Sequence, residues 1–298
     1  MERIDFAIIG GSYAGLSAAL QLARARRDVL MVDAGQRRNR FVDEAGETSH
    51  GFLSQDGRAP GEIAADAKRQ LMRYATVRWM DGVAEQARVQ SDGRLAFHVG
   101  NVEISAARLI LATGVRDELP PLPGLAERWG RSVFHCPYCH GYEMDAGRIG
   151  IVATSPLAHH QAVMLPDWGA TTLFLNGAYS PNEDELTVLA RRGTQLERTP
   201  IERIEGLADV VLKDGRKLPM NGLFTQPRTA MSSPLAEQLG CAMDEGPMGP
   251  FIKTGEAQAT SIPNVFACGD AARAAGNVAL AVADGVMAAL GAHRASMV

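Results

Sequence analysis

Two apolar runs near the start of the chain flank a segment with helical spacing. Residues 5–9 read DFAII, residues 28–33 read DVLMVD, and LSAALQLARAR lies between them. Leu16, Ala19, Leu20 and Ala23 repeat at helical intervals, so this middle piece predicts a helix between two buried strands. Similar apolar runs recur at ARLILAT (107–113), RIGIVA (148–153), TTLFL (171–175) and IPNVFACGD (262–270). NVALAVADGVMAAL, from Asn277 to Leu290, predicts a last apolar helix. Strands that alternate with helices in this way predict an α/β fold built on parallel sheets.

The turn between the first strand and helix is Gly10-Gly11-Ser12-Tyr13-Ala14-Gly15. A dinucleotide site needs a glycine for the tight turn, a small residue where backbone approaches pyrophosphate, and a glycine where helix meets strand. Gly10, Ser12 and Gly15 hold those places, with serine as the departure from the usual glycine. The helix N-terminus then offers free N–H groups and a positive dipole end to phosphate. Asp33 closes the second strand, eighteen residues after Gly15, where an acid would meet ribose hydroxyls.

Mid-chain, the nonapeptide HCPYCHGYE runs from His135 to Glu143. Its CxxCH core is compatible on paper with zinc, with covalent haem and with a redox dithiol. Structural zinc takes four ligands, usually from two knuckles, and there is no second CxxC here. Haem attachment accompanies export, which nothing at the start of the chain indicates. A dithiol needs only Cys136 and Cys139, one thiolate to attack and one to resolve. The other two cysteines, Cys241 and Cys268, lie in small apolar surroundings and read as inert core thiols.

Composition narrows the classes further. The 298 residues carry a net charge of −4 and are 46% hydrophobic and 21% charged, which is ordinary for globular domains. No basic face is implied, so nucleic acid is not an expected partner. MERIDFAIIGGSYAG lacks the basic stretch and cleavage site of a secretion signal, and no charge-free apolar window is long enough for a membrane span. The expectation is a cytoplasmic protein with no membrane or metal association.

With GGSYAG at the start, ATG at 112–114, CPYC in mid-chain and VFACGDAA near the end, the chain resembles the low-molecular-weight thioredoxin reductases, FAD-dependent disulfide oxidoreductases. The resemblance covers nearly the whole length. It implies two Rossmann-like domains, the first discontinuous: an FAD domain from 1–116 and 246–298, and a central domain from 117–245 that carries the CxxC. It places FAD against Gly10, Ser12, Tyr13, Ala14, Gly15, Asp33, Ala34, His50, Ala112, Thr113, Gly114, Gly269 and Asp270. The start of the last helix, at Val278 and Ala279, would face the flavin. Cys136 would meet the substrate and Cys139 the flavin. His140 stands where ordinary reductases have an aspartate, in the acid/base place. The relatives are homodimers, which extends the expectation to this chain.

NADPH is doubtful. After RIGIVA the chain continues Thr154-Ser155-Pro156-Leu157-Ala158, with no glycine left in the loop, and Pro156 lacks an N–H. After TTLFL comes Asn176-Gly177-Ala178-Tyr179, without the arginines that hold a 2′-phosphate. CPYCHGYE with such a loop is most similar to the dithiol oxidases of gliotoxin- and holomycin-type natural products. That subgroup implies oxidation of a small-molecule or peptide dithiol, with electrons passing to FAD and then to molecular oxygen. Two other readings stay open. One is a disulfide reductase serving a thioredoxin-like protein, fed by NADPH or another carrier. The other is a flavin-binding module without catalysis.

Overall fold

The structure is a computed structural model that describes residues 2–297. Met1 and Val298, the outer ends of the expected FAD domain, lie outside the described residues. The chain divides into two compact units. The first comprises Met1–Arg38, Gly61–Arg116 and Thr229–Val298, and the second Asn39–Pro60 and Asp117–Arg228.

In the first unit the strand Glu2–Ile9 is central. It pairs in parallel with Val29–Asp33 on one side and with Val102–Leu111 on the other. The register brings Ile9 level with both Val32 and Leu111, so the loops after three strands leave the sheet together. The strand Val102–Leu111 is long enough to serve two neighbours. Its first half pairs antiparallel with Leu95–Val99, and its last residues pair in parallel with Val265–Ala267. Both sheet faces are covered. Phe6, Ile8 and Met31 pack with Leu16, Leu22 and Ala288, while Leu30, Phe97 and Leu109 pack with Leu235 and Ile252. Residues buried on both faces explain why these strands read as continuous apolar runs.

The helices Tyr13–Arg24 and Val278–Arg294 lie unusually close. A Cβ built on Gly285 would stand 2.1 Å from the Ala14 carbonyl oxygen, and Ser17 Oγ donates to the Val282 carbonyl at 2.7 Å. Asp284, beside Gly285, is 3% exposed and pairs with Arg273, whose Nη2 lies 2.8 Å away. Gln258 Nε2 adds a bond to it at 3.1 Å.

The second unit has an all-parallel five-stranded sheet. Its order is Gln195–Glu197, Gly169–Phe174, Ala146–Val152, Gly222–Phe224 and Val133–Phe134. A three-stranded antiparallel sheet, Ile201–Glu205 with Asp209–Leu212 and Lys217–Leu218, packs in the same unit.

The unit boundaries depart from the expected ones in two places, each with a packing reason. Residues 39–60 belong with the second unit, because Phe41 packs against the cluster of Leu125, Trp129 and Val133. Residues 229–245 belong with the first, because Leu235, Ala236 and Leu239 join the core around Phe97. There Gln238 Oε1 also accepts from the Ala87 N–H at 2.8 Å. Among the described residues no helix is long and apolar enough to cross a membrane.

Candidate active site

Cys136 and Cys139 form a disulfide, with Cα atoms 5.3 Å apart. The strand Val133–Phe134 delivers the chain to them, and the single helical turn Pro137–His140 holds them one turn apart. Pro137 at the first helical position sets the backbone for that turn, and Cys136 is its N-cap. Both cysteines are half-buried. Beneath the turn, Gln161 Nε2 donates to the His135 carbonyl at 2.8 Å. The Trp168 ring supports the far side. It meets Tyr138 edge-on at 5.4 Å, and its atoms lie within 2.9 Å of where a Gly141 Cβ would stand.

His140 stacks on Phe134, the ring centroids being 4.1 Å apart. Burial, helped by the neighbouring His50, lowers its pKa from 6.5 to about 4. The imidazole beside the disulfide is therefore neutral at physiological pH. This refines the sequence expectation: a base held near 4 is mismatched to a thiol near 8.5, so His140 alone is a weak proton acceptor while the disulfide is closed.

The lowered value also sets a pH dependence of stability. An unfolded chain protonates this imidazole near 6.5 and the folded one only near 4. Between those values the unfolded state binds more protons, so stability falls as pH drops through the window. The loss reaches about 3 kcal/mol at most near pH 4. Urea titrations from pH 7 to pH 4 should show a shallower decline in His140→Phe than in the wild type.

His50 lies in the second unit with the disulfide turn, its ring 6.4 Å from that of His140 and edge-on. Its Nε2 is 3.0 Å from Thr48 Oγ1 and 3.4 Å from Glu143 Oε1, and its Nδ1 is 3.7 Å from Asp56 Oδ1. Sequence reasoning placed His50 with the cofactor residues and passed over Glu143, which carried no signal beyond standing in the HGYE stretch.

The remaining candidate residues gather in the first unit, at the ends of its parallel strands. A Cβ on Gly10, whose φ is +108°, would stand 2.2 Å from the Ala112 carbonyl oxygen. One on Gly15 would stand 1.8 Å from the Gly10 carbonyl oxygen, and one on Gly269 would stand 2.9 Å from the Ala14 Cβ. The GGSYAG, ATG and GD turns are thus pressed together at distances only glycine allows. Ser12 is the N-cap of the helix Tyr13–Arg24 and makes no side-chain capping bond. Asp33 Oδ1 accepts from the Gly11 N–H at 3.0 Å, so Gly11 joins the set although the sequence pattern did not single it out. Asp270 Oδ2 accepts from Arg38 Nη1 at 2.9 Å, a partner that no motif announced. Asn277 Oδ1 caps the last helix through the Leu280 N–H, at 2.8 Å. Cys241 and Cys268 are buried, and burial pushes both thiols up, as expected of inert core residues.

Residues 4–288 match the family model described as pyridine nucleotide-disulphide oxidoreductase. The chain belongs to that family. It is 33% identical to thioredoxin reductase tcpT of Claviceps purpurea over 304 residues, covering 96% of this chain and 92% of that one. An oxidoreductase structure from Agrobacterium tumefaciens is 56% identical with a TM-score of 0.95, over 100% of this chain and 99% of the other. The structure of HlmI is 32% identical with a TM-score of 0.90, over 99% and 92%. As a member of this oxidoreductase family the chain is a flavin-dependent disulfide oxidoreductase, with FAD as its cofactor.

The two nucleotide loops fit their cofactors unequally. The first unit's cradle suits FAD: Gly10 and Gly15 leave backbone where side chains would collide, and the helix N-terminus carries no capping side chain. The second unit's loop does not suit NADPH. The Leu157 N–H donates to Ser155 Oγ at 3.3 Å, the Ala158 N–H to the Ser155 carbonyl and the His159 N–H to the Pro156 carbonyl. Thr154 Oγ1 donates to the Gln226 carbonyl at 2.8 Å. Three backbone donors of this loop and the Thr154 hydroxyl are thus engaged within the protein, and Pro156 has no N–H to offer. Past the next strand, Asn176 Oδ1 accepts from the Ile201 N–H at 3.0 Å, and Tyr179 is buried. The helix beyond opens with Glu183, Asp184 and Glu185, which would repel a 2′-phosphate.

Proposed function

We propose that this enzyme oxidises a small-molecule or peptide dithiol to a disulfide at Cys136–Cys139. The observation that carries the reading is the contrast between loops. Cys136 and Cys139 are joined in their turn, while the 153–158 loop has no glycine, has a proline, and has the Leu157 and Ala158 N–H groups bonded internally. Electrons then enter from the thiol side rather than from NADPH. One substrate thiolate attacks Cys136 Sγ, and the S–S bond breaks with its electron pair going to Cys139 Sγ. The second substrate thiol attacks the substrate sulfur of the mixed disulfide and displaces Cys136. Two electrons pass from substrate to the cysteine pair, and two protons are released or taken up by protein groups. When bound, FAD supplies the two-electron acceptor that reoxidises the pair, with dioxygen as final acceptor.

The names of relatives such as tcpT favour a second reading, reduction of a thioredoxin-like protein. One experiment separates the two. Anaerobic holoenzyme is mixed with dithiothreitol or with NADPH, and flavin absorbance is followed. The expected result is bleaching by dithiothreitol alone, with colour and hydrogen peroxide appearing on admission of air. Prompt bleaching by NADPH would overturn the oxidase reading and favour the reductase.

A further inference from the structure

A dithiol gives up two protons when it is oxidised, and besides His135, whose ring lies 6.0 Å from that of Trp129, the disulfide turn has two imidazoles that meet each other. They stand in different surroundings. His140 is stacked on Phe134 and meets no carboxylate among the described residues. His50 is held by the Thr48 hydroxyl, faces Glu143 on one nitrogen and Asp56 on the other, and meets His140 edge-on. Its side chain is 21% exposed, and those of Glu143 and Asp56 are 36% and 68% exposed. The carboxylates therefore lead from the His50 ring to solvent.

We propose that His50, positioned by Glu143, accepts the proton of the first thiol that opens the Cys136–Cys139 disulfide, leaving His140 to serve the Cys139 thiolate that this opening creates. The proposal rests on the dithiol reading above. The first S–H bond breaks with its proton passing to the His50 imidazole, and its sulfur forms the bond to Cys136 Sγ. The S–S electron pair moves to Cys139 Sγ. His140 directly follows Cys139 in the chain, so the new negative charge forms next to an imidazole that was neutral until then. From His50 the proton reaches solvent along Glu143 or Asp56.

The geometry accounts for both the pairing and the separation. Residues 49–58 form a small loop closed by the Ser49–Arg58 bridge, and the Gly51 N–H is tied to Asp56 Oδ1 at 2.7 Å. A Cβ on Gly51 would come within 4.0 Å of the Tyr138 carbonyl oxygen, so this loop rests directly on the CPYC turn. His50 is carried to the disulfide by a segment 86 residues earlier in sequence than Cys136.

The test is the rate at which dithiothreitol opens the disulfide in anaerobic holoenzyme between pH 5.5 and pH 9. The rate is read by acid quench and by mass-counting the alkylated cysteines. His50→Asn should slow opening roughly 100-fold at neutral pH, the lower end of what a positioned general base contributes. Its rate should then climb with pH as dithiothreitol ionises by itself, converging on the wild type at the alkaline end. Glu143→Gln should show the same change of profile in milder form and, being on the surface, guards against a folding failure in the His50 variant. Asp145→Asn, an exposed acid nearby with no role in the relay, should match the wild type. Wild-type profiles in both His50→Asn and Glu143→Gln would overturn the proposal, as would an equal slowing at every pH. A wild-type disulfide that dithiothreitol opens at no pH would overturn the function reading instead, and this proposal with it.

Discussion

Replacing either Cys136 or Cys139 by serine should abolish dithiol-driven bleaching of the flavin, by more than roughly 1000-fold, because disulfide exchange has no second route once one sulfur is gone. The two variants should fail differently. Cys139→Ser leaves Cys136 as a free thiol, which should attack an added disulfide such as oxidised glutathione and keep half of it as a mixed disulfide, visible as an added mass, while the other half leaves as thiol. Cys136→Ser should trap much less, since the resemblance makes Cys136 the outer sulfur and Cys139 the inner one. FAD content should be unchanged in both, since the glycine cradle lies in the other unit. Substantial bleaching by either variant would mean that electrons reach the flavin without the pair.

The largest expected effect on stability lies in the first unit. Asp284 is 3% exposed and relies on Arg273 for its charge partner, with Gln258 adding one hydrogen bond. Arg273→Ala leaves that carboxylate buried and uncompensated, which costs about 3–5 kcal/mol. For a protein of this size that corresponds to a drop of roughly 10 °C in melting temperature. Adding Asp284→Asn to Arg273→Ala should recover part of the loss, since a neutral amide does not need the arginine's charge. A double variant no more stable than Arg273→Ala would show that the arginine acts through packing rather than charge.

The glycine turns were legible in the sequence because their constraint is local. Gly10 and Gly15 are where they are since no side chain fits, and that shows as a spacing without knowledge of the rest of the fold. The cysteine pair was legible for a similar reason. Contacts between distant residues were not. Arg38 reaches Asp270 across 232 positions, and neither residue announces the other. His50 and His140 stand together because the 39–60 segment packs with the second unit, where Phe41 joins the Leu125 cluster and Gly51 lies against the Tyr138 carbonyl, contacts that no local pattern announces. The strand Ala84–Val89 also left no signal. It carries only two buried side chains and a register shift, so neither alternation nor an apolar run marks it.

The first unit is assembled from three separated stretches, and the second lies largely between them in sequence. During synthesis the segment 117–228 can therefore close its sheet while the first unit is still incomplete. Until Val265–Ala267 emerges, the final residues of Val102–Leu111 lack one strand neighbour, and the helix after the first glycine loop lacks its closest packing partner. A ribosome-bound chain would thus carry a finished redox turn before it had a place to hold FAD, so that newly made disulfide chemistry stays disconnected from its electron acceptor until the last helix docks.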